Sequence, residues 1–339
     1  MSAVVVYAVG STLNVAGSFK SIEPHQSGKT EVVYRGICGP EDMDIDEQAG
    51  ELYISSSDRW STQKGIKTDD GIWAMDLESG TPPRRLSITY PGEFHPHGIS
   101  FLQADTTRYL FVVNHNPSGN FVERFVIRHD SLIHERSFSD PMLCCPNDVV
   151  GVAPDHFYVT NDHGSPSGFK RTLEDYGRLP YSSLLYFDGT QFTTVQDGLK
   201  YGNGVNVSAD GKKLYLATTT GRDLMTFDRD AETGNIHLVN TTSLKSGVDN
   251  IDVDADGNLW IAAHPKLLAF VAHAKDSTKK SPSQVFRLVP KPDNSYTVTE
   301  VFLDDGTQIS GSSIAVHYKD YLFIGGVFQP RILRIKLQP

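Results

Sequence analysis

The chain has 339 residues, 39% of them hydrophobic and 21% charged, with a net charge of −10 at neutral pH. That acidity argues against nucleic acid or an anionic membrane as main partner, because both would repel it. No run reaches the roughly 18 apolar residues of a membrane-spanning helix, and three cysteines, two of them adjacent (Cys144, Cys145), form neither a disulfide framework nor a zinc motif.

The opening segment, MSAVVVYAVGSTLNVAGSF, has no basic stretch and only a short apolar run. Residues 1–25 therefore read as an N-terminal extension without signal peptide or membrane anchor, and the unpaired thiols read as a cytoplasmic protein. TEVVYR (30–35) is a strand with no local partner. From Pro40 one pattern recurs six times: PEDMDIDEQAGELYISSSD, PHGISFLQADTTRYLFVVNH from Pro96, PNDVVGVAPDHFYVTNDH from Pro146, GNGVNVSADGKKLYLATTT from Gly202, VDNIDVDADGNLWIAAHPK from Val248 and GSSIAVHYKDYLFIGGVF from Gly311. Each unit is a short strand, a polar or Gly-containing turn and a β-rich second strand. Third strands follow (GIWAMDL, ERFVIRH, SLLYFDG, LMTFDRD, QVFRLVP), then outer ones (RRLSI, LIHERSF, FTTVQD, IHLVNTT, YTVTEVF).

The first-column residues are Glu41, His97, Asn147, Asn203, Asp249 and Ser312, at steps of 56, 50, 56, 46 and 63 residues. A period near 50 built only from strands predicts an all-β, six-bladed β-propeller with four-stranded blades, one domain over 1–339. The sixth unit has three strands before the chain ends, so 30–35 is expected to supply its outer strand and close the ring. Two segments break the pattern. Residues 163–181 form a long insertion in blade three that reads as a lid, and 266–283 form an excursion whose apolar half can wall a pocket.

In a propeller the innermost strands line the central channel, so the first column converges at one mouth. Glu41, Asn147, Asn203, Asp249 and the adjacent Asn250 offer only oxygen, which suits calcium ahead of magnesium or manganese. One residue deeper, Asp42 and Asp148 can hold a second ion with a backbone carbonyl such as that of Ile99. Turn-capping is the plain alternative for any one of these residues, and its recurrence at one column of a repeat favours the ion. DIDEQAG (44–50) and DVDADGN (252–258) lack the terminal Glu of an EF-hand and fall at hairpin turns. His97 sits in the same column and, with His115, is placed as a general base; Asp249 is the alternative base or nucleophile. His163 and His264 point toward the same end, as structural or supporting groups. Cys38, Cys144 and Cys145 are expected to be small buried residues.

On GPEDM, HPHGIS, VVNH, PNDVV, TNDH, NGVNVSADG, VDNIDVD and His264-Pro265, in this order over residues 20–337, the chain resembles the paraoxonase/arylesterase family, within a wider group that includes gluconolactonase-like and strictosidine-synthase-like propellers. The resemblance implies a catalytic calcium at Glu41, Asn147, Asn203, Asp249 and Asn250, and a structural one at Asp42, Asp148 and the Ile99 carbonyl. It further implies a His97–His115 dyad and a pocket with His163, Tyr201, His264 and Phe328 in its wall. Thr30 before EVVYR and a Cys-free RIKLQP depart from the disulfide that joins the termini of serum members, so secretion is not carried over. The expected function is calcium-dependent hydrolysis of lactones or aryl esters. The rival expectation is the same scaffold recruited to a non-hydrolytic reaction of secondary metabolism or to ligand binding.

Overall fold

The computed structural model describes Gly10 and residues 12–338. Six sheets surround a channel, each running from an innermost strand outward. The innermost strands are Pro40–Asp46, Pro96–Ala104, Pro146–Ala153, Gly202–Val207, Gly247–Val253 and Ser312–Tyr318. Gly28–Arg35 lies antiparallel to Arg331–Leu337, from Arg35 opposite Arg331 to Gly28 opposite Leu337, and so supplies the outer strand of blade six as the sequence predicts. The first and last units are thereby locked in one sheet.

Second strands are apolar on both faces because every blade is stacked between two neighbours. Leu52–Ile54, Leu110–Val113 and Phe157–Val159 are fully buried. Six clusters fill the six gaps between blades; Met43, Ile54, Ile314 and Phe323 join blades one and six, while Trp260, Phe302, Leu322 and Leu333 join five and six.

RRLSI is not one strand. Arg84–Arg85 pairs with blade one, whereas Ser87–Ile88 runs parallel to Ser131–Leu132 on the edge of blade two. Leu86 between them is buried beside Ile72 and Leu132, which fixes the crossing point. His25–Gln26 likewise adds to the edge of blade five.

All six innermost strands carry a β-bulge at the column residues: the register breaks between Pro40 and Asp42, Pro96 and Ile99, Pro146 and Val149, Gly202 and Val205, Val248 and Ile251, and Ser312 and Ile314. A bulge suspends strict alternation, so two consecutive side chains can turn toward the axis. The second column is crowded. A Cβ on Gly98 would lie 2.5 Å from Asp148 Cα, and one on Gly204 2.6 Å from Asn250 Cα, so only glycine fits at either.

Three helices leave the same connection, between second and third strands, on alternate blades: α1 (Arg59–Thr62) on blade one, α2 (Gly168–Gly177) on three and α3 (Leu267–Lys275) on five. They occupy the two predicted excursions and a third, over 57–70, that the strand pattern does not mark. No helix among the described residues is long and apolar enough to cross a membrane. The expectation that the first residues form no signal peptide falls mostly on 1–9 and 11, outside the described residues.

Candidate functional site

A pocket of about 610 Å³ opens at the channel mouth where the first column lies, floored by Glu41, His97, Asn147, Asn203 and Asp249. Asn250 lies against it: its amide nitrogen donates to the Glu41 carbonyl at 3.2 Å and to Glu41 Oε1 at 3.3 Å, across 209 residues of sequence. Glu41, Asn147, Asn203, Asp249 and Asn250 are each only 1–4% exposed.

Four of their side-chain oxygens are buried without a hydrogen-bond partner: Glu41 Oε2, Asn147 Oδ1, Asn203 Oδ1 and Asn250 Oδ1. Two of the amide nitrogens are already committed, that of Asn250 to Glu41 and that of Asn203 to Thr219 Oγ1 at 2.9 Å. A buried acceptor left unpaired costs about 1–3 kcal/mol, and four gathered from four blades fit a hard cation. Among the described residues no group of three or more His, Cys, Asp or Glu side chains is assembled for a metal; here three of the five groups are amides. Burial opposes ionisation of Glu41, yet His97 in its protonated form, with Nε2 at 3.5 Å, and Arg59 Nη2 at 3.7 Å hold its carboxyl down to about 2. Burial pushes the Asp249 carboxyl up, against a 2.8 Å bond from His264 Nε2.

Deeper in the channel, Asp42 and Asp148 border a void of about 10 Å³ with Ile99. Asp42 accepts from the Met43 and Ile99 amides at 2.9 and 2.7 Å, and Asp148 from those of Val149 and Val205, both at 2.7 Å. Each carboxylate thus ties its blade to the next. Ile99 meets Asp42 through its N–H. Burial first, and Asp148 as a neighbouring negative charge second, push Asp42 well above the usual carboxylate range, and burial does the same to Asp148.

The histidine pair is hydrogen-bonded, His97 Nδ1 to His115 Nε2 at 2.8 Å. The tautomers follow from the far end of the chain. Asn120 Nδ2 donates to the carbonyls of Leu143 and Cys144, so Asn120 Oδ1, 3.0 Å from His115 Nδ1, is an acceptor. His115 then carries its proton on Nδ1 and accepts from His97 Nδ1–H, leaving the lone pair of a neutral His97 on Nε2. Burial, then the neighbouring His97, lower His115 to about 4, so it stays a neutral acceptor.

His163 differs from the other pocket histidines. Asp162 Oδ1 at 2.6 Å and Asp175 Oδ1 at 2.8 Å flank its two ring nitrogens and outweigh burial, raising it to about 9. It is an imidazolium at neutral pH, with its edge to Tyr201 at 4.7 Å. His264 stacks on Phe270 at 3.9 Å, and Phe328 stacks on Trp60 at 5.3 Å. Cys145 is buried as expected, but Cys38 and Cys144 are only half-buried, and all three are free.

The expected lid and wall segments do border the pocket, through Arg171 and Arg178 of the first and Phe270 of the second, residues not singled out from the sequence; Arg59 on α1 and the wall made by Thr12, Val15 and Ala16 were not found at all. For Arg59 the unused signal was the excursion at 57–70, at the same connection as the one at 163–181. The N-terminal segment is tied down by the Leu267 amide donating to the Ala16 carbonyl at 2.9 Å, a contact without any sequence signature.

An arylesterase family model matches residues 32–336. The chain is 34% identical over 305 residues to serum paraoxonase/arylesterase 2 of Gallus gallus, covering 87% of this chain and 85% of that one. To serum paraoxonase/arylesterase 1 of Homo sapiens it is 31% identical over 322 residues, covering 92% and 90%. Among solved structures, the calcium-binding protein regucalcin of Agrobacterium tumefaciens superposes with a TM-score of 0.56 at 14% identity, over 92% of this chain and 94% of that one. The periplasmic gluconolactonase of Pseudomonas aeruginosa does so with 0.53 at 14% identity, over 88% and 85%. Those two likenesses show the propeller fold, and the family match with the sequence relatives shows the lineage: the chain belongs to the paraoxonase/arylesterase family.

Proposed function

We propose that this protein is a calcium-dependent hydrolase of lactones and aryl esters. The observation that carries the reading is the set of four unpartnered buried oxygens under the pocket. Family membership, with relatives named as arylesterases, supports the ester chemistry.

Glu41, Asn147, Asn203, Asp249 and Asn250 would hold one calcium ion, and Asp42, Asp148 and Ile99 a second. When bound, the first ion supplies Lewis-acid polarisation of the ester carbonyl. The chain's own part is proton handling. His97 accepts the proton of the attacking water on Nε2, 3.5 Å from Glu41 Oε1, while His115 and Asn120 keep the lone pair on that nitrogen. His264 holds Asp249 in place by its 2.8 Å bond, and Asp249 is the second candidate for base or nucleophile. The α2 insertion acts as a lid over the mouth and α3 as an apolar wall. Three free cysteines support a cytoplasmic location.

Turnover of a γ/δ-lactone panel and of phenyl acetate, measured with calcium and with EGTA, tests this. Chelator-sensitive hydrolysis is expected. No hydrolysis of any substrate, with binding retained, would move the protein to the non-hydrolytic use of the scaffold.

A further inference from the structure

The molecule is acidic, with a net charge of −10, yet the upper wall of its pocket is cationic. Arg59, Arg171, Arg178, Lys275 and the His163 imidazolium face the cavity, against Asp162 and Asp175 outside the oxygen cluster. The two aspartates are already committed: both flank His163, and Asp162 also pairs with Arg171 Nη2 at 3.3 Å. Arg59 is turned to Glu41.

Arg178 is different. It caps the C-terminus of α2 in the left-handed conformation, at φ 53°, and its Nε donates to the Thr220 carbonyl at 2.9 Å. Among the described residues it has no carboxylate within salt-bridge distance, and neither does Arg222 behind it. Arg222 donates to the Val15 carbonyl at 3.3 Å, and its Nε is buried without a partner. Lys20, whose ammonium donates to the Lys245 carbonyl, belongs to the same patch. Arg222 acts on the other two: burial and then Arg222 lower both Lys20 and Arg178, against weaker opposing pulls from Glu300 on Lys20 and Asp223 on Arg178. Half-buried like charges with no carboxylate paired to them are unfavourable together and ready for an anion. The remaining wall, Leu267, Leu268, Phe270, Val271 and Phe328, is apolar.

We propose that Arg178, backed by Arg222, binds an anionic group, a carboxylate or a phosphate, on the arm of the substrate remote from the scissile bond. This rests on the hydrolase reading and narrows it: the substrates are lactones or esters with one apolar and one acidic arm, rather than neutral ones.

The decisive pair is nitrophenyl hydrogen glutarate against nitrophenyl pentanoate, which match in length and differ in the terminal charge. In the calcium-loaded wild type, kcat/KM should favour the glutarate by about 10-fold or more, the scale of one charge-assisted hydrogen bond, and the preference should shrink with added salt. Arg178→Met should abolish the preference through KM, and Arg178→Lys should restore part of it. An O-phosphorylated lactone beside its free alcohol tells whether phosphate is the better anion. Equal or reversed preference in the wild type, or a preference that survives Arg178→Met, overturns the proposal while leaving hydrolysis standing. If neither ester turns over, the lactone panel and phenyl acetate still decide the hydrolase reading, and calorimetric binding of glutarate decides this one: binding lost in Arg178→Met supports it, and no binding by the wild type overturns it. Should Arg178→Met fail to fold, the wild-type ratio and its salt dependence decide.

Discussion

His97 shows how a single side chain acquires a role from a chain of contacts. Its column position in the repeat was legible, because HPHGIS aligns with the other units. Its tautomer was not, since that depends on Asn120 reaching back to the Leu143 and Cys144 carbonyls. The expected outcome of His97→Gln is a fall in kcat of about 100-fold or more, the scale of losing a general base. Calcium affinity, read by calorimetry, should be kept, because the orphan oxygens belong to other residues. A near-wild-type rate would move the base to Asp249, and loss of calcium would put His97 in the metal shell. The acidic pair in the second column was equally legible as residue types. That each aspartate spends its oxygens on the amides of the neighbouring blade was not.

At the scale of elements, the bulged inner strand is the device that builds the floor. Alternation alone would send Asp249 and Asn250 to opposite faces, and the break between Val248 and Ile251 removes that constraint. The close approach of strands is the corollary. Gly204→Ala would press a methyl 2.6 Å from both Asn250 Cα and the Asp249 carbonyl oxygen. Backbone cannot yield there without moving the floor, so a loss of about 1–3 kcal/mol is expected, seen as a lower Tm together with weaker calcium binding. Gly177→Ala is the control: its Cβ meets only the Leu179 side chain at 3.5 Å, and a helical Gly→Ala change is neutral or stabilising. Equal Tm losses in the two variants would contradict the crowding at the axis. RRLSI is the instructive miss at this scale. Its alternation fits a strand on either blade, and only the burial of Leu86 between the two sheets decides where it is cut.

For the whole molecule, the channel is a column of carboxylates in the interior of an acidic protein. Burial raises Asp42, Asp148 and Asp252 well above the usual range and Asp44 to about 7. A carboxylate whose folded value is raised binds more protons folded than unfolded, so its contribution to stability falls as pH rises above the ordinary Asp value. His163, raised to about 9, works the same way above the ordinary histidine value of about 6.5. Of the opposing groups, Glu41 at about 2 has completed its change well below that value, whereas His115 at about 4 and His273, which burial lowers, complete theirs about one unit above it, where their unfolded forms have lost their protons. With calcium chelated, Tm should therefore fall between about pH 7.5 and 9, as His163 loses its proton in the folded state. With calcium bound, the profile should be flatter and higher, because metal that binds only the folded state stabilises it by mass action. Coincident curves with calcium and with EGTA would remove the structural ion from the proposal.

The sequence by itself determined the six blades, the closing strand and the oxygen column, because a repeat writes the same position once per unit and the residue type there states its chemistry. Tertiary structure alone decided what crosses between units: the bulges that turn paired side chains inward, the His163 imidazolium between Asp162 and Asp175, and the cationic patch of Lys20, Arg178 and Arg222. Those features depend on distances between segments with no shared period, and a charge becomes uncompensated only when the fold has placed every possible partner elsewhere.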